Sequence, residues 1–359
     1  MYKKSFLDEN NIRMKQDGMG AYEDQPWNAE ILSKAKKIAY LDKHLYFYRI
    51  DATDSSTNNG KIGLINYIKR RNQAREILIE NNCFNDEIKE FTTESVSNII
   101  AKGGTILKSA RSKAFMTPEG RKQAYEVMQQ EKIDALVVIG GNGSLTGAKI
   151  FADEFNVPCI GLPGTIDNDI ASTEYTIGYD TAMNTAMDAI DKLRDTASSH
   201  ERCSVIEVMG RHAGYIALNV GIATGAECIL IPEVDYDFDR DVIRTILDGR
   251  NKGKRHYIVI VAEGVGSSAS IASRIEEVTG IEARPTILGH LQRGGSPTLR
   301  DRTMASLMGV HAIECIKEGR FNRLVVQKSG AITDVDIEEG LSMKKTISQE
   351  EIEAAKLLS

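Results

Sequence analysis

The chain has 359 residues, 27% charged and 42% hydrophobic, with a formal net charge of −6. That length fits two domains or one large α/β unit, and interspersed charges of acidic balance give no general drive toward nucleic acid. No apolar run approaches ~18–20 residues and Met1–Asp8 lacks the apolar stretch of a signal peptide, so neither a membrane span nor export is expected and a cytoplasmic location is.

In chain order, Trp27 to Lys37 reads as a helix, and Ile38 to Ile50 alternates Tyr, Leu and Phe with polar residues like a strand or hairpin. The polar run DATDSSTNNG (51–60) is turn-forming, and Lys61 to Asn82 is a basic amphipathic helix. From Ile133 onward, strands and helices alternate. The strands are Ile133 to Gly141, Pro158 to Gly164, Cys203 to Gly210, Cys228 to Glu233, Tyr257 to Gly264 and Thr286 to Gly289. Helices run over Ser144 to Phe155, Asp180 to His200 and roughly 212–223, 240–252, 268–279 and 300–318. This alternation predicts an α/β fold with a mostly parallel sheet covered on both faces. Cys83, Cys159, Cys203, Cys228 and Cys315 form no C-x-x-C pair, and 159, 203 and 228 lie in apolar runs, which reads as reduced core thiols.

Two loops stand out in this frame. Pro163-Gly164-Thr165-Ile166-Asp167-Asn168-Asp169 follows the second strand and puts two carboxylates and a hydroxyl at its C-terminal end, where open α/β sheets bind ligands. One Asp can take a proton while the other holds a metal. Gly140-Gly141-Asn142-Gly143-Ser144 ends the first strand and opens a helix, a turn that admits a phosphate to free N–H groups. Such turns are as often structural, and the weight comes from the adjacency of the two loops.

Arginines cluster at predicted element ends. Arg111 closes GGTILKSAR (103–111), Arg202 ends the long helix, Arg211 sits in Met209-Gly210-Arg211-His212-Ala213-Gly214, and Arg284 and Arg293 flank a segment containing His290. Guanidinium forks match phosphate oxygens, so the set fits a phosphorylated substrate.

With these motifs assembled, residues from about Ser95 to the C-terminus resemble 6-phosphofructokinase of the bacterial ATP-dependent type. The segments are GGTILKSAR (103–111), GGNGS (140–144), PGTIDND (163–169), TIGYDTAMNTAMDAIDKLRDTASSHER (176–202), EVMGRHAG (207–214), AEG (262–264) and ILGHLQRGGSP (287–297). The resemblance implies two mostly parallel sheets with helices on both faces, in lobes of 91–180 plus 300–320 and 181–299 plus 321–359. It implies Asp167 as the base for the sugar 1-hydroxyl, Thr165 at the transferring phosphate, and Arg111 and Arg211 as charge clamps. Asp169, Arg202, Met209, Gly210, Glu263, Arg284, His290 and Arg293 would bind fructose 6-phosphate, Arg202 in a neighbouring subunit of a homo-oligomer, typically a tetramer. Arg111, Ser112, Gly141, Asn142, Gly143, Ser144 and Gly147 would hold ATP, and Asn142 with Asp169 the Mg²⁺. Gly143 and Gly164 stand where pyrophosphate-dependent relatives usually carry Asp and Lys, which favours ATP. Arg194, Glu227, Lys252, Lys254 and His256 match positions for a nucleotide or phosphorylated effector; the plain reading of Arg250–His256 is a basic helix end.

Two departures accompany the resemblance. Asn142 stands where the family has Asp, keeping an oxygen but losing a charge. The family's opening strand, GGDxPGMN loop and helix are not found before residue 95, so an incomplete N-terminal sheet and weakened ATP binding are expected. Residues 1–90 are expected to form an irregular α+β extension ahead of the region 91–359; within it, 20–85 resemble the C-terminal tail of a family 2 glycosyltransferase, whose acidic pair would correspond to Glu23 and Asp24, without its nucleotide-sugar domain. The reading is ATP-dependent phosphorylation of fructose 6-phosphate, with a non-catalytic sugar-phosphate-binding or regulatory protein as the first alternative and a glycosyltransferase as the second.

Overall fold

The computed structural model describes residues 91, 93 and 96–358. The expected helices and strand of 27–82, the segment 20–85 and Cys83 lie outside them. The chain divides into units of 1–96 and 97–359, and every element below belongs to the second.

The first sheet comprises β1 (Leu136–Gly140), β2 (Cys159–Pro163), β7 (Arg323–Lys328) and β8 (Ala331–Asp336), in the order β1-β2-β7-β8 with only β8 antiparallel. The second holds β3 (Cys203–Val208), β4 (Cys228–Leu230), β5 (Tyr257–Ala262) and β6 (Ala283–Ile287), in the parallel order β4-β5-β3-β6. Residues 323–336 therefore join the first sheet, correcting the assignment of 321–359 to the lobe of 181–299. A parallel neighbour for β2 has to come from a distant crossover, which strand periodicity cannot register.

The helices are α1 (Pro118–Gln130), α2 (Asn142–Phe155), α3 (Tyr179–His200), α4 (Tyr215–Thr224), α5 (Arg244–Asn251), α6 (Ser268–Thr279), α7 (Leu299–Lys317), α8 (Ile337–Ser342) and α9 (Gln349–Leu358). A π-helical turn, Phe238–Ile243, leads into α5. Local chemistry sets several boundaries. The Thr117 hydroxyl caps α1, accepting from Gly120 N at 3.1 Å with Pro118 at the first helical position. Glu201, in the left-handed region at φ 53°, ends α3.

Helix α3 buries Ala182, Ala186 and Ile190, whose four-residue spacing makes one narrow face. That face joins Ile160 and Leu162 of β2 and Ile206, Ile258 and Ile260 of the second sheet in one core. Every side chain of β5 is buried, as expected of a central parallel strand covered on both faces, at about 1.5–3 kcal/mol per large apolar group. By contrast, β1 is a sheet edge among the described residues, with Val137 and Ile139 39% and 55% exposed. Cys159, Cys203, Cys228 and Cys315 are free and buried, and burial pushes the Cys159 thiol up to about 11, so they are core thiols. No helix among the described residues is long and apolar enough to cross a membrane.

Candidate active site

Strand register builds the site. Gly140 of β1 pairs with Pro163 of β2, so both strands end level and their loops emerge side by side. Gly164 N donates to Gly140 O at 3.0 Å. A Cβ on Gly141 would come within 3.3 Å of the Thr165 side chain, which keeps the two turns in contact. Helix α2 begins at Asn142, earlier than the predicted Ser144, so the free N–H groups of its first turn lie within GGNGS. A Cβ on Gly143 would meet no protein atom, whereas one on Gly164 would meet Ile139 Cγ2 at 3.0 Å. Packing on β1 therefore favours Gly164, while the space beside Gly143 faces outward.

The second sheet adds the opposite wall. Val208 of β3 pairs with Ala262 of β5, and Glu207 of β3 with Ile287 of β6. Met209–Arg211, Glu263 and the turn Gly289–Arg293 thus leave the sheet at one end. Glu263 Oε1 accepts from Gly210 N at 3.0 Å and from Arg211 N. Gly210 has φ 145°, and a Cβ there would strike Ala213 O at 2.4 Å, so this turn requires glycine. The Gln292 amide oxygen accepts from Met209 N at 2.8 Å, tying the turn to β3.

Asp167 lies where the two walls meet. It is 9% exposed and its Oδ1 is buried without a hydrogen-bond partner. Burial above all raises its pKa, the Asp169 and Glu263 carboxylates push the same way, and Arg293 and Arg211 oppose them. The site can thus present a carboxylate of heightened basicity between two cations. Asp169 is half-buried, and its carboxylate accepts no hydrogen bond among the described residues. With the unpartnered Asp167 oxygen and half-buried Asn142 nearby in the fold, this donor set of hard oxygens suits a divalent cation such as Mg²⁺.

Other predicted residues separate from this cluster. β6 begins at Ala283, ahead of the predicted Thr286, so Arg284 falls at its N-terminal end. There Glu282 binds Arg202 Nε at 2.6 Å and Arg284 Nε at 2.8 Å. Because Cys203 pairs with both Tyr257 and Ala283, this pair sits at the opposite end of the parallel sheet from Met209 and Glu263, about 16–20 Å away. Arg284 therefore does not join His290 and Arg293. Arg111 and Ser112 are exposed; Ser112 Oγ accepts from Phe115 N at 3.2 Å, and Phe115 lies 3.6 Å from a Cβ position on Gly147 of α2. Upstream, a Cβ on Gly103 would strike Gly295 O at 2.2 Å, which packs the two Gly-rich turns together.

Of the expected effector residues, buried Glu227 forms an ion pair with Lys254, and an Arg194 guanidinium nitrogen donates to Thr224 O. Lys252 is exposed and His256 half-buried before β5. Sequence reasoning missed Gln292, Asn168 and Thr176. Asn168 sits at φ 50°, and the Thr176 hydroxyl donates to Thr165 O at 2.6 Å, bracing the carboxylate loop. A polar residue between two functional ones was the available signal, as for Asn168 and Gln292.

Similarity to known proteins extends over most of the chain. A family model described as Phosphofructokinase matches residues 57–316, starting ahead of the motif-based limit near Ser95. The ATP-dependent 6-phosphofructokinase of Clostridium botulinum is 52% identical over 279 residues, covering 78% of this chain and 87% of that one. That of Alkaliphilus metalliredigens is 52% identical over 275 residues, covering 77% and 86%. Among solved structures, Saccharomyces cerevisiae phosphofructokinase matches with TM-score 0.68 and 34% identity, over 71% of this chain and 38% of the yeast chain. The pyrophosphate-dependent phosphofructokinase of Marinobacter aquaeolei, at TM-score 0.62 and 21% identity, shares the fold. Two converging sheet ends, the carboxylate loop between them and identity above half over most of the chain lead to one assignment: the chain belongs to the phosphofructokinase family.

Proposed function

We propose that this chain transfers the terminal phosphoryl group of ATP to the 1-hydroxyl of fructose 6-phosphate, giving ADP and fructose 1,6-bisphosphate. The observation that carries the mechanism is the buried, unpartnered Asp167 carboxylate between Arg211 and Arg293. Asp167 takes the hydroxyl proton as the oxygen attacks phosphorus. Arg211, with Arg111, balances the charge on the moving group, and Thr165 orients it. Phosphoryl transfer needs little covalent help, so positioning and charge stabilisation suffice. Glu263, Met209, Gly210, His290 and Arg293 hold the sugar phosphate.

Gly141, Asn142, Gly143, Ser144 and Gly147, with Ser112, receive the nucleotide at the start of α2, and the open space beside Gly143 supports ATP over pyrophosphate. Asp169 and the Asn142 side-chain oxygen would hold Mg²⁺, which supplies charge neutralisation on the phosphates. The distance of Arg202 and Arg284 from Asp167 supports a homo-oligomer in which they serve a neighbouring subunit. Arg194, Glu227, Lys252, Lys254 and His256 remain the candidate effector set. An enzyme of glycolysis in this form belongs in the cytoplasm.

A coupled assay of ADP release on the purified chain and on Asp167→Ala tests the proposal. Fructose 6-phosphate-dependent turnover that the substitution removes supports it. Saturable fructose 6-phosphate binding without turnover would favour the non-catalytic alternative, and turnover with pyrophosphate but not ATP would overturn the donor.

A further inference from the structure

Lys345 follows α8 in the connection to α9, far in sequence from every residue given a role above. Its ammonium nitrogen lies 3.0 Å from Thr173 O and 3.5 Å from Glu174 O, and 5.1 Å from the centre of the Tyr215 ring. The Glu174 carbonyl also accepts from Asn168 Nδ2 at 3.4 Å. Lys345 and the residue between the two site aspartates thus share one acceptor. Thr173, 1% exposed, holds the other side: its hydroxyl accepts from Gln327 N at 2.9 Å and donates to Tyr175 O at 2.9 Å. The main chain of 173–176 is gripped between the end of β7 and the Lys345 ammonium, and it holds Asn168 and Thr165 in turn.

We propose that Lys345 is a positioning residue for phosphoryl transfer, its ammonium fixing the 173–174 carbonyls so that Asn168 keeps Asp167 and Asp169 oriented. This rests on the reading of Asp167 as the base. A lysine needed only to anchor the C-terminal segment could keep its ammonium in water. Instead burial pushes the Lys345 ammonium down to about 8 against the pull of Asp169, Glu174 and Glu351, and it faces the aromatic ring of Tyr215. The ammonium gives up water for two backbone carbonyls and the face of the Tyr215 ring.

The test uses the full chain with K345Q, K345M and K345R, read by steady-state kinetics and by hydrogen exchange of amides in 165–176. Loosening the carboxylate loop should lower kcat in K345Q by about tenfold or more while KM for fructose 6-phosphate changes by less than about twofold. K345R, which keeps the charge, should recover most of kcat. Exchange in 165–176 should quicken by about tenfold in K345Q, with β3 and β5 unchanged. Wild-type kcat and exchange in K345Q would overturn the inference, and so would equal acceleration throughout both sheets. K345M, which keeps the stem over Tyr215, replaces K345Q if that variant does not fold; failure of both to fold also counts against the proposal. If the wild type has no turnover, the catalytic reading falls, and the exchange contrast alone decides whether Lys345 holds the loop.

Discussion

At the scale of single residues, Asp167 is under opposed pulls. Burial and two neighbouring carboxylates favour its neutral form, and two arginines favour the charge. Its raised pKa means that the folded state binds this proton more tightly than the unfolded chain does. The ionised group therefore costs stability at neutral pH, and that cost is relieved as pH falls through the folded value. The expected outcome for D167N is a loss of turnover of about 10²- to 10⁴-fold together with an unchanged or higher melting temperature. In the wild type the acid limb of kcat/KM should lie above the ~4 of an ordinary Asp, as a pH–rate profile would measure. Gly143 gives a second check at this scale. Because a Cβ there meets no protein atom within 4 Å, G143D should fold normally yet raise KM for ATP by about tenfold or more through charge repulsion.

At the scale of elements, one carboxylate of β8 ties α7 and β7 together beyond the strand ladder. Asp334 is 7% exposed and receives His311 Nε2 at 2.7 Å, Arg323 Nε at 2.6 Å and an Arg320 guanidinium nitrogen. His311, Cys315 and Asp334 lie close enough to suggest a metal site, but two guanidiniums already neutralise the carboxylate, which disfavours a cation. These donors hold Asp334 well below the usual carboxylate range against the effect of burial. A depressed pKa contributes stability that is present above the unfolded value of ~4 and lost as pH falls through the folded one. D334N should cost about 3 kcal/mol in denaturant unfolding at neutral pH and flatten the loss of stability in acid. None of this was legible beforehand. Strands 323–336 and helix 118–130 carry no loop motif, and their polar edges blur the apolar periodicity that marked β2, β3 and β5. Strand β6 begins ahead of its apolar signal for a related reason: Arg284 and Pro285 interrupt the apolar run, so the sequence pattern associates Arg284 with the turn rather than with the strand's start.

At the scale of the whole molecule, parallel strands have two chemically different ends, and the arginines divide between them. Arg211 and Arg293 join Asp167 at the C-terminal ends, while Arg202 and Arg284 share Glu282 at the N-terminal ends. If a neighbouring subunit supplies the second pair, D167N and an R202A–R284A double variant should each be inactive alone. Refolded together, they should regain measurable turnover in mixed oligomers. No return of activity in assemblies verified by light scattering would oppose the shared site.

The sequence by itself determined the alternating strands and helices, the carboxylate loop after β2, the Gly-rich turn after β1 and the family they resemble. Those signals are local: apolar runs, glycines at turns and carboxylates at fixed spacing each express their chemistry within a few residues. What the tertiary structure alone decided is which ends meet. Parallel register sets GGNGS beside PGTIDND, sends Arg284 away from Arg293, moves 323–336 into the first sheet and brings Lys345 under Glu174. Pairing between distant strands and the burial of one charge against another element's backbone depend on crossovers, and no local pattern along the chain records them.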